Sequence, residues 1–565
     1  MMALPTAIRQ PTVLILIPLG FIIIGYIVYP GVLVLWESLF REEQFGFGNY
    51  GEFFDTSHPS YMEGLLNSIM VSFGSVLLSA LIGVPLALIF TYYDFPGRSI
   101  FSKLATLPIV LPPLVGVLAF LFLYSESGMV PRLIQAALGL ERIPFSLNGV
   151  WAVLLVHGYT MYVFFYLFTS AALKNIDPAV TEAANSLGGS TWYCFRSVTL
   201  PLLTPALVGA TLLVFMTSMN SFSAPFIFAG GFRFLSLNIY TSKLNGDMAM
   251  AVTQTVVLSA FSLAFLFFMR HYEGRRQYAM STKGTAVARR EIRGRWIRLL
   301  AGTAGIGMVI VLLLPHLTIL LLSFVMDGTW THQILPEVYT TANYGRLFQD
   351  STFWEPIRNS VNMALMSTAA DVVVGVAAAY LVVKGTFRGR HVLDALVMVP
   401  WALPGTVVAI NLIIAFSQET VFSFGQVLVG SFWLLPIAYF IRHLPIVFRA
   451  SSAAFKQLDD SLEDAARNLG ASWFYTFRRV TLPLIGPGVL AGTLLAFVTA
   501  LGEFVASILL YVYDNRPIAM EILSHLRQFN IGSAAAYGVL LLVLVFFVLL
   551  GSNYISRGAT QRSFS

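Results

Sequence analysis

"EAANSLGGSTWYCFRSVTLPLLTP", Glu182 to Pro205, and "DAARNLGASWFYTFRRVTLPLIGP", Asp464 to Pro487, are one pattern written twice, 282 positions apart. Asp177-Pro178 offers an N-cap followed by proline at the first helical position, and Gly188 a stop that tolerates a left-handed backbone. A short helix is predicted between them. Ser190 caps a second one, Thr191 to Val198, which Leu200-Pro201 is expected to end; Asp460 or Ser461, Gly470, Ser472 and Leu482-Pro483 take the same places in the other copy. Ala183, Ala184, Ala465 and Ala466 leave room for another surface to approach, while Trp192, Tyr193, Trp473 and Phe474 present bulk that wants a pocket.

Outward from these loops the chain turns oily. Of its 565 residues 57% are hydrophobic and 11% charged, against about 25% charged in soluble domains. Apolar runs of about 20 residues cross a bilayer as helices, and there are six in each half: near 12–38, 67–92, 104–124, 149–172, 203–228 and 250–269, then 299–323, 361–383, 393–416, 427–447, 485–511 and 533–553. Unbroken runs lack the alternation of a barrel, and lipid permits little else. The expected fold is all-α and polytopic, about twelve transmembrane helices in two tandem six-helix domains.

Placing both termini in the cytoplasm puts 24 of the 34 Lys and Arg on that side, 9 outside and Arg442 within a span. That bias sets the orientation, and the net charge of +6 is read as a topology signal rather than a nucleic-acid footprint. The first run lacks a small-residue cleavage site and is read as a retained span. A basic segment, 270–298, with nine Arg and Lys against two Glu, is the expected cytoplasmic linker between a first domain, 1–269, and a second, 299–565. Outside the paired loops, "NYGEFF" at Asn49 answers "NYGRLF" at Asn343, Asn67-Ser68 answers Asn359-Ser360, and "LPIVLPP" from Leu107 answers "VPWALPG" from Val399. The offset falls from 294 to 292 to 282, which places a loss of about ten residues near 125–148 of the first half. Six spans per half make the repeat parallel, with its axis along the membrane normal.

The spacing Glu-Ala-Ala, three residues, Gly, nine residues, a β-branched residue, one residue, Leu-Pro resembles the EAA motif of binding-protein-dependent ABC transporter permeases. It is carried by Glu182, Ala183, Ala184, Gly188, Val198, Leu200 and Pro201, and again by Asp464, Ala465, Ala466, Gly470, Val480, Leu482 and Pro483. Asp464, preceded by Glu463, departs from the usual Glu. The resemblance covers nearly the whole chain and implies that the loops 173–201 and 455–483 are coupling helices seated on two ABC ATPase subunits. It further implies one external solute-binding protein, a bacterial inner-membrane location, and ATP with Mg2+ held by the partner subunits and not by this chain. Fused permeases of this size most resemble those of ferric-iron importers, with thiamine and phosphonate (2-aminoethylphosphonate) importers close in architecture.

No G-x-x-x-x-G-K-[ST] phosphate loop occurs, so the chain has no P-loop of its own with which to use ATP. "GFGNYG" at Gly46 follows a membrane run rather than a strand, so dinucleotide binding does not follow from it. Eight scattered histidines and the single Cys194 offer no metal-ligand spacing. Ionisable groups in spans are costly and face protein or water. Glu503, aligned with Ser221 beside Asn220, is therefore a candidate for lining the translocation pathway, and Asp371 is a weaker one; Arg442 is expected to snorkel to the cytoplasmic end of its span. An ion-coupled secondary carrier using Glu503 and Asp371 as relays is the alternative class, and the paired loops favour the ATP-driven importer.

Overall fold

Backbone groups in lipid must be satisfied within their own segment, and the chain meets that demand with long helices. The structure, a computed structural model, describes residues 9–41, 44–57, 60–275, 290–291, 294–330 and 333–562. Most of the basic linker, 276–289 and 292–293, lies outside the described residues. The helices used below are α1 (Val13–Glu37), α2 (Ser60–Tyr92), α3 (Pro113–Tyr124), α4 (Gly149–Asn175), α5 (Pro178–Ser186), α6 (Trp192–Met219), α7 (Leu235–Leu244), α8 (Met248–Arg275), α9 (Arg295–Leu322), α10 (Ser351–Val383), α11 (Arg390–Ala402), α12 (Gly405–Phe416), α13 (Leu434–Gln457), α14 (Asp460–Asn468), α15 (Trp473–Leu501), α16 (Ile518–Arg527) and α17 (Ile531–Arg562).

Ten helices among the described residues are long and apolar enough to cross a membrane, or eleven if α11 and α12, bent by 110°, are counted as one span. The remaining expected span, 427–447, is α13, which Arg442, His443, Arg449 and Lys456 make less apolar. Its packing still gives it the depth of a span. Gly375 of α10 lies against Val447 and Phe448 of α13, and further along the ring of Tyr380 meets that of Phe455, so the two helices run parallel. In the first half Gly74 lies against Leu154 and Gly83 against Tyr162 and Phe165, and α2 and α4 are parallel too. Glycine at such crossings lets backbones approach closely where lipid provides no hydrophobic drive. Parallel neighbours require the intervening chain to cross back, so the α11–α12 pair traverses the bundle.

The bend has a local cause. A residue before proline is pushed to extended backbone, and Leu403 (ψ 133°) before Pro404, like Leu111 (ψ 120°) before Pro112, adopts it. Helices α2, α4 and α6 form one bundle and α10, α13 and α15 the other. The first helix of each half crosses over: α1 packs on α12 and α10, and α9 on α3 and α17. Tyr26 donates to the carbonyl of Phe422 at 2.7 Å, and Tyr159 to that of Leu312 at 2.6 Å. The extra residues of the first half appear as the helix Met129–Leu138, where the second half has only the short turn Val421–Ser423.

Candidate functional site

The two expected loops fold as helix pairs. Asp177 accepts from the amide of Ala179 at 2.9 Å and opens α5; Leu187 ends it, and Gly188 follows at φ +86°. In the second copy the cap is Asp459, one residue before the expected Asp460, accepting from the amide of Ser461 at 3.0 Å, and Gly470 has φ +84°. The amide bond and the Ser461 side chain hold the Asp459 carboxyl below the usual carboxylate range. Left-handed backbone of this kind is why glycine stands after each helix. The expected stop at Leu-Pro is a correction. The second short helix continues without a break into α6 and into α15, through a wider π turn at Phe195–Thr199 and at Phe477–Thr481. Proline lacks the amide and crowds the preceding carbonyl, and a wider turn just before Pro201 and Pro483 makes room for the ring.

What these loops expose is apolar. Leu187 is 90% exposed and Leu469 89%. Glu182, Ala183, Gly188, Asp464, Ala465 and Gly470 are exposed, with Ala184 and Ala466 half-buried. The two aromatic pairs differ from expectation. Trp192 is exposed, but Trp473 turns inward and its indole donates to the Tyr380 hydroxyl at 2.6 Å. The buried carboxylate of the second copy is Glu463, not Asp464: it accepts from the Thr481 hydroxyl at 2.6 Å and pairs with Lys384 at 3.2 Å.

At the far ends of α6 and α15 the helices break, at Asn220 and Gly502, inside what the sequence presented as continuous runs. Asn220 ends α6, its side-chain oxygen buried and unbonded. Ser221 lies 2.8 Å from Nε2 of His157, whose Nδ1 faces Ser75 at 2.8 Å and Ser218 at 3.1 Å. In the equivalent place Glu503 accepts from Arg442 at 2.7 Å and from the amide of Ala506 at 3.0 Å. Arg442 therefore does not snorkel: it reaches the buried carboxylate, and a Cβ on Gly405 would fall on its Nη1. Asp371 is fully buried in α10 with neither oxygen bonded, and no bond joins it to Glu503 among the described residues. Just beyond the breaks, Phe222 and Phe504 occupy matching positions of the repeat and meet across the halves with ring centroids 5.9 Å apart; Phe226 and Tyr240 complete the cluster. Gly502 rests against Pro112 of the other half. Broken helices from both halves thus converge on a buried aromatic contact near the pseudo-two-fold axis. Sequence reading missed these rings and the Arg442 partnership; a carboxylate and a guanidinium in neighbouring spans was the available signal.

Two interlocked bundles, a central break and a duplicated exposed loop define a membrane permease core. Residues 79–278 and 371–561 each match the family described as "Binding-protein-dependent transport system inner membrane component", and the chain belongs to that family. It is a multi-pass inner-membrane permease of a binding-protein-dependent ABC importer; such permeases work with ATPase subunits and a periplasmic binding protein and are not themselves catalytic. Among its relatives, the probable ABC transporter permease protein y4fN of Sinorhizobium fredii is 28% identical over 96% of this chain and 97% of that protein. The ferric transport system permease protein FbpB of Actinobacillus pleuropneumoniae is 27% identical over 96% of this chain and 77% of that one. The molybdenum transport system permease protein ModB of Escherichia coli is 34% identical over 27% of this chain and 70% of its own length.

Proposed function

We propose that this chain alone forms the whole membrane pathway of an importer for ferric iron. An external binding protein delivers the cargo, the two halves pass it inward by alternating access, and two ATPase subunits carrying ATP and Mg2+ drive the cycle from the cytoplasmic face. The loops 173–201 and 455–483 seat those subunits, with Leu187 and Leu469 as the apolar contacts and Glu182, Ala183, Ala184, Gly188, Asp464, Ala465, Ala466 and Gly470 around them. Phe222 and Phe504 close the route, and Asn220 and Ser221 line it. One parity argument supports a common face for the loops and the linker: two crossings, α6 and α8, separate the first loop from the linker, and four, α9, α10, α11–α12 and α13, separate the linker from the second loop.

The observation that carries the iron reading is alignment over 96% of this chain, through both halves, with a ferric permease of which 77% is covered, where the molybdenum permease matches 27% of the chain. The bonds around Glu503 favour ATP-driven transport over an ion-coupled carrier, because a carboxylate matched by Arg442 at 2.7 Å is a poor proton or sodium relay. The test is uptake into vesicles holding the reconstituted complex, with labelled ferric iron, thiamine, 2-aminoethylphosphonate and molybdate compared. Iron uptake that needs ATP and the binding protein is expected. Uptake of one of the others alone would replace the substrate, and uptake driven by an ion gradient without ATP would replace the class.

A further inference from the structure

Two cations stand over the central aromatic contact, one from each half. Helices α7 and α16 hold matching places after the two breaks, and each carries a cation in its last turn, Lys243 in the first and Arg527, with His525, in the second. Each cation crosses to the opposite half. Lys243 donates to the carbonyl of Leu509 at 2.7 Å, in the segment that follows Phe504. Arg527 lies over the ring of Phe226, 5.9 Å from its centroid, and that ring meets those of Phe504 and Tyr240. Tyr240 stands one turn before Lys243 on the same side of α7, so both cations border one cluster.

Cations in a last turn complement the helix dipole, which accounts for the charge and not for the crossing. Among the described residues neither side chain forms an ion pair, and the acids of these segments are engaged elsewhere. Glu521 of α16 pairs with Arg516 at 2.9 Å, Glu503 pairs with Arg442 at 2.7 Å, and Asp247 accepts from the amide of Met250 at 3.0 Å. Burial draws the Lys243 ammonium below the ordinary lysine value, and no carboxylate offsets it. Lys243 has further N–H donors beyond the one given to Leu509, and the exposed Arg527 presents a planar fork of donors. Two uncompensated positive charges beside the barrier repel a bare trivalent cation and attract a carboxylate or a phosphate.

We propose that Lys243 and Arg527 form an oxyanion-binding site at the outer mouth of the route, so that cargo reaches the barrier carrying an oxyanion; for iron this means a ferric ion complexed by a carboxylate or a phosphate, not the bare ion. The inference deepens the iron reading and rests on it, and on Phe222 and Phe504 as the barrier. A guanidinium can take two oxygens of one anion side by side, and an ammonium supplies a point charge next to it.

The experiment uses the complex of this chain, its ATPases and its binding protein reconstituted in vesicles, with labelled ferric iron supplied in carbonate-free buffer together with radiolabelled phosphate or radiolabelled citrate. One of the two anions should enter with the iron, and which one does so assigns the oxyanion as a phosphate or a carboxylate. Arg527→Glu should lower uptake at least about tenfold, and Arg527→Lys should stay within about threefold of wild type. Lys243→Gln, which keeps a donor for Leu509 and loses the charge, should also lower uptake about tenfold, with Lys243→Arg close to wild type. If Lys243→Gln fails to insert, Arg527→Glu, at an exposed position, carries the test with the same expectation. Iron entering with neither anion, or uptake that Arg527→Glu leaves unchanged or raises, overturns the inference. Uptake of 2-aminoethylphosphonate in place of iron, itself lowered by Arg527→Glu, overturns the iron reading and leaves the oxyanion site standing, which separates the two failures.

Discussion

Glu503→Gln removes one charge from a pair enclosed where α13 meets the break after α15. Gln can still accept from Nη1 of Arg442, now 2.7 Å away, and from the amide of Ala506 at 3.0 Å, so geometry is conserved and the charge alone is lost. Two unit charges at that separation attract by about 6 kcal/mol at an effective dielectric near 20. The carboxylate's own desolvation, several kcal/mol, is relieved at the same time. What remains is a guanidinium without a counter-charge, and breaking a buried pair in this way costs roughly 3–5 kcal/mol. The side chain of Arg442 is 21% exposed, and both hydrogen bonds to the retained oxygen persist, so the lower end, about 3 kcal/mol, is expected. The assay is unfolding of the purified chain in nanodiscs together with uptake by the complex. Arg442→Met combined with Glu503→Gln should recover about 2 kcal/mol of the loss, since replacing both partners by uncharged groups is often near neutral. Uptake should fall only as far as the folded fraction falls. If Glu503→Gln unfolds like the wild type yet transports cargo differently, the carboxylate acts on cargo and the pairing argument fails. A double variant less stable than the single one refutes it equally.

Gly405→Ala should push Arg442 off Glu503 and destabilise the chain by about 1–3 kcal/mol, an effect that should largely vanish in an Arg442→Met background; unfolding of the four variants measures it. Leu187→Asp and Leu469→Asp should leave the stability of the chain within about 0.5 kcal/mol, because nothing among the described residues covers those side chains, while co-purification of the ATPase subunits is lost. Phe504→Ala, and Phe222→Ala to a similar degree, should open the central contact so that ATP-free vesicles leak small ions, read as dissipation of an imposed gradient; tight vesicles would remove these rings from the barrier.

Much of this was legible because lipid leaves so few options. Runs of twenty apolar residues become helices wherever the backbone must pair with itself, and the parallel repeat follows from counting them. The loops were legible for a local reason: Asp177, Gly188, Gly470 and Ser472 act on backbone within three residues of themselves. Errors arose where two local choices compete, as in the run Asp459-Asp460-Ser461, whose first member caps, and at Leu-Pro, where a π turn lets the helix continue. The contacts that give the molecule its mechanism are non-local. Arg442 and Glu503 are 61 positions apart, Lys243 and Leu509 are 266 apart, and Phe222 meets Phe504 only because two halves fold around a common axis. No window of sequence contains both members of any of these pairs.

The central claim is that one chain supplies both halves of the permease and therefore both ATPase seats. Native mass measurement of the complex, purified with its ATPase subunits and binding protein, tests it directly. One copy of this chain with two ATPase subunits and one binding protein is the predicted assembly. Two copies of this chain per pair of ATPases would contradict it.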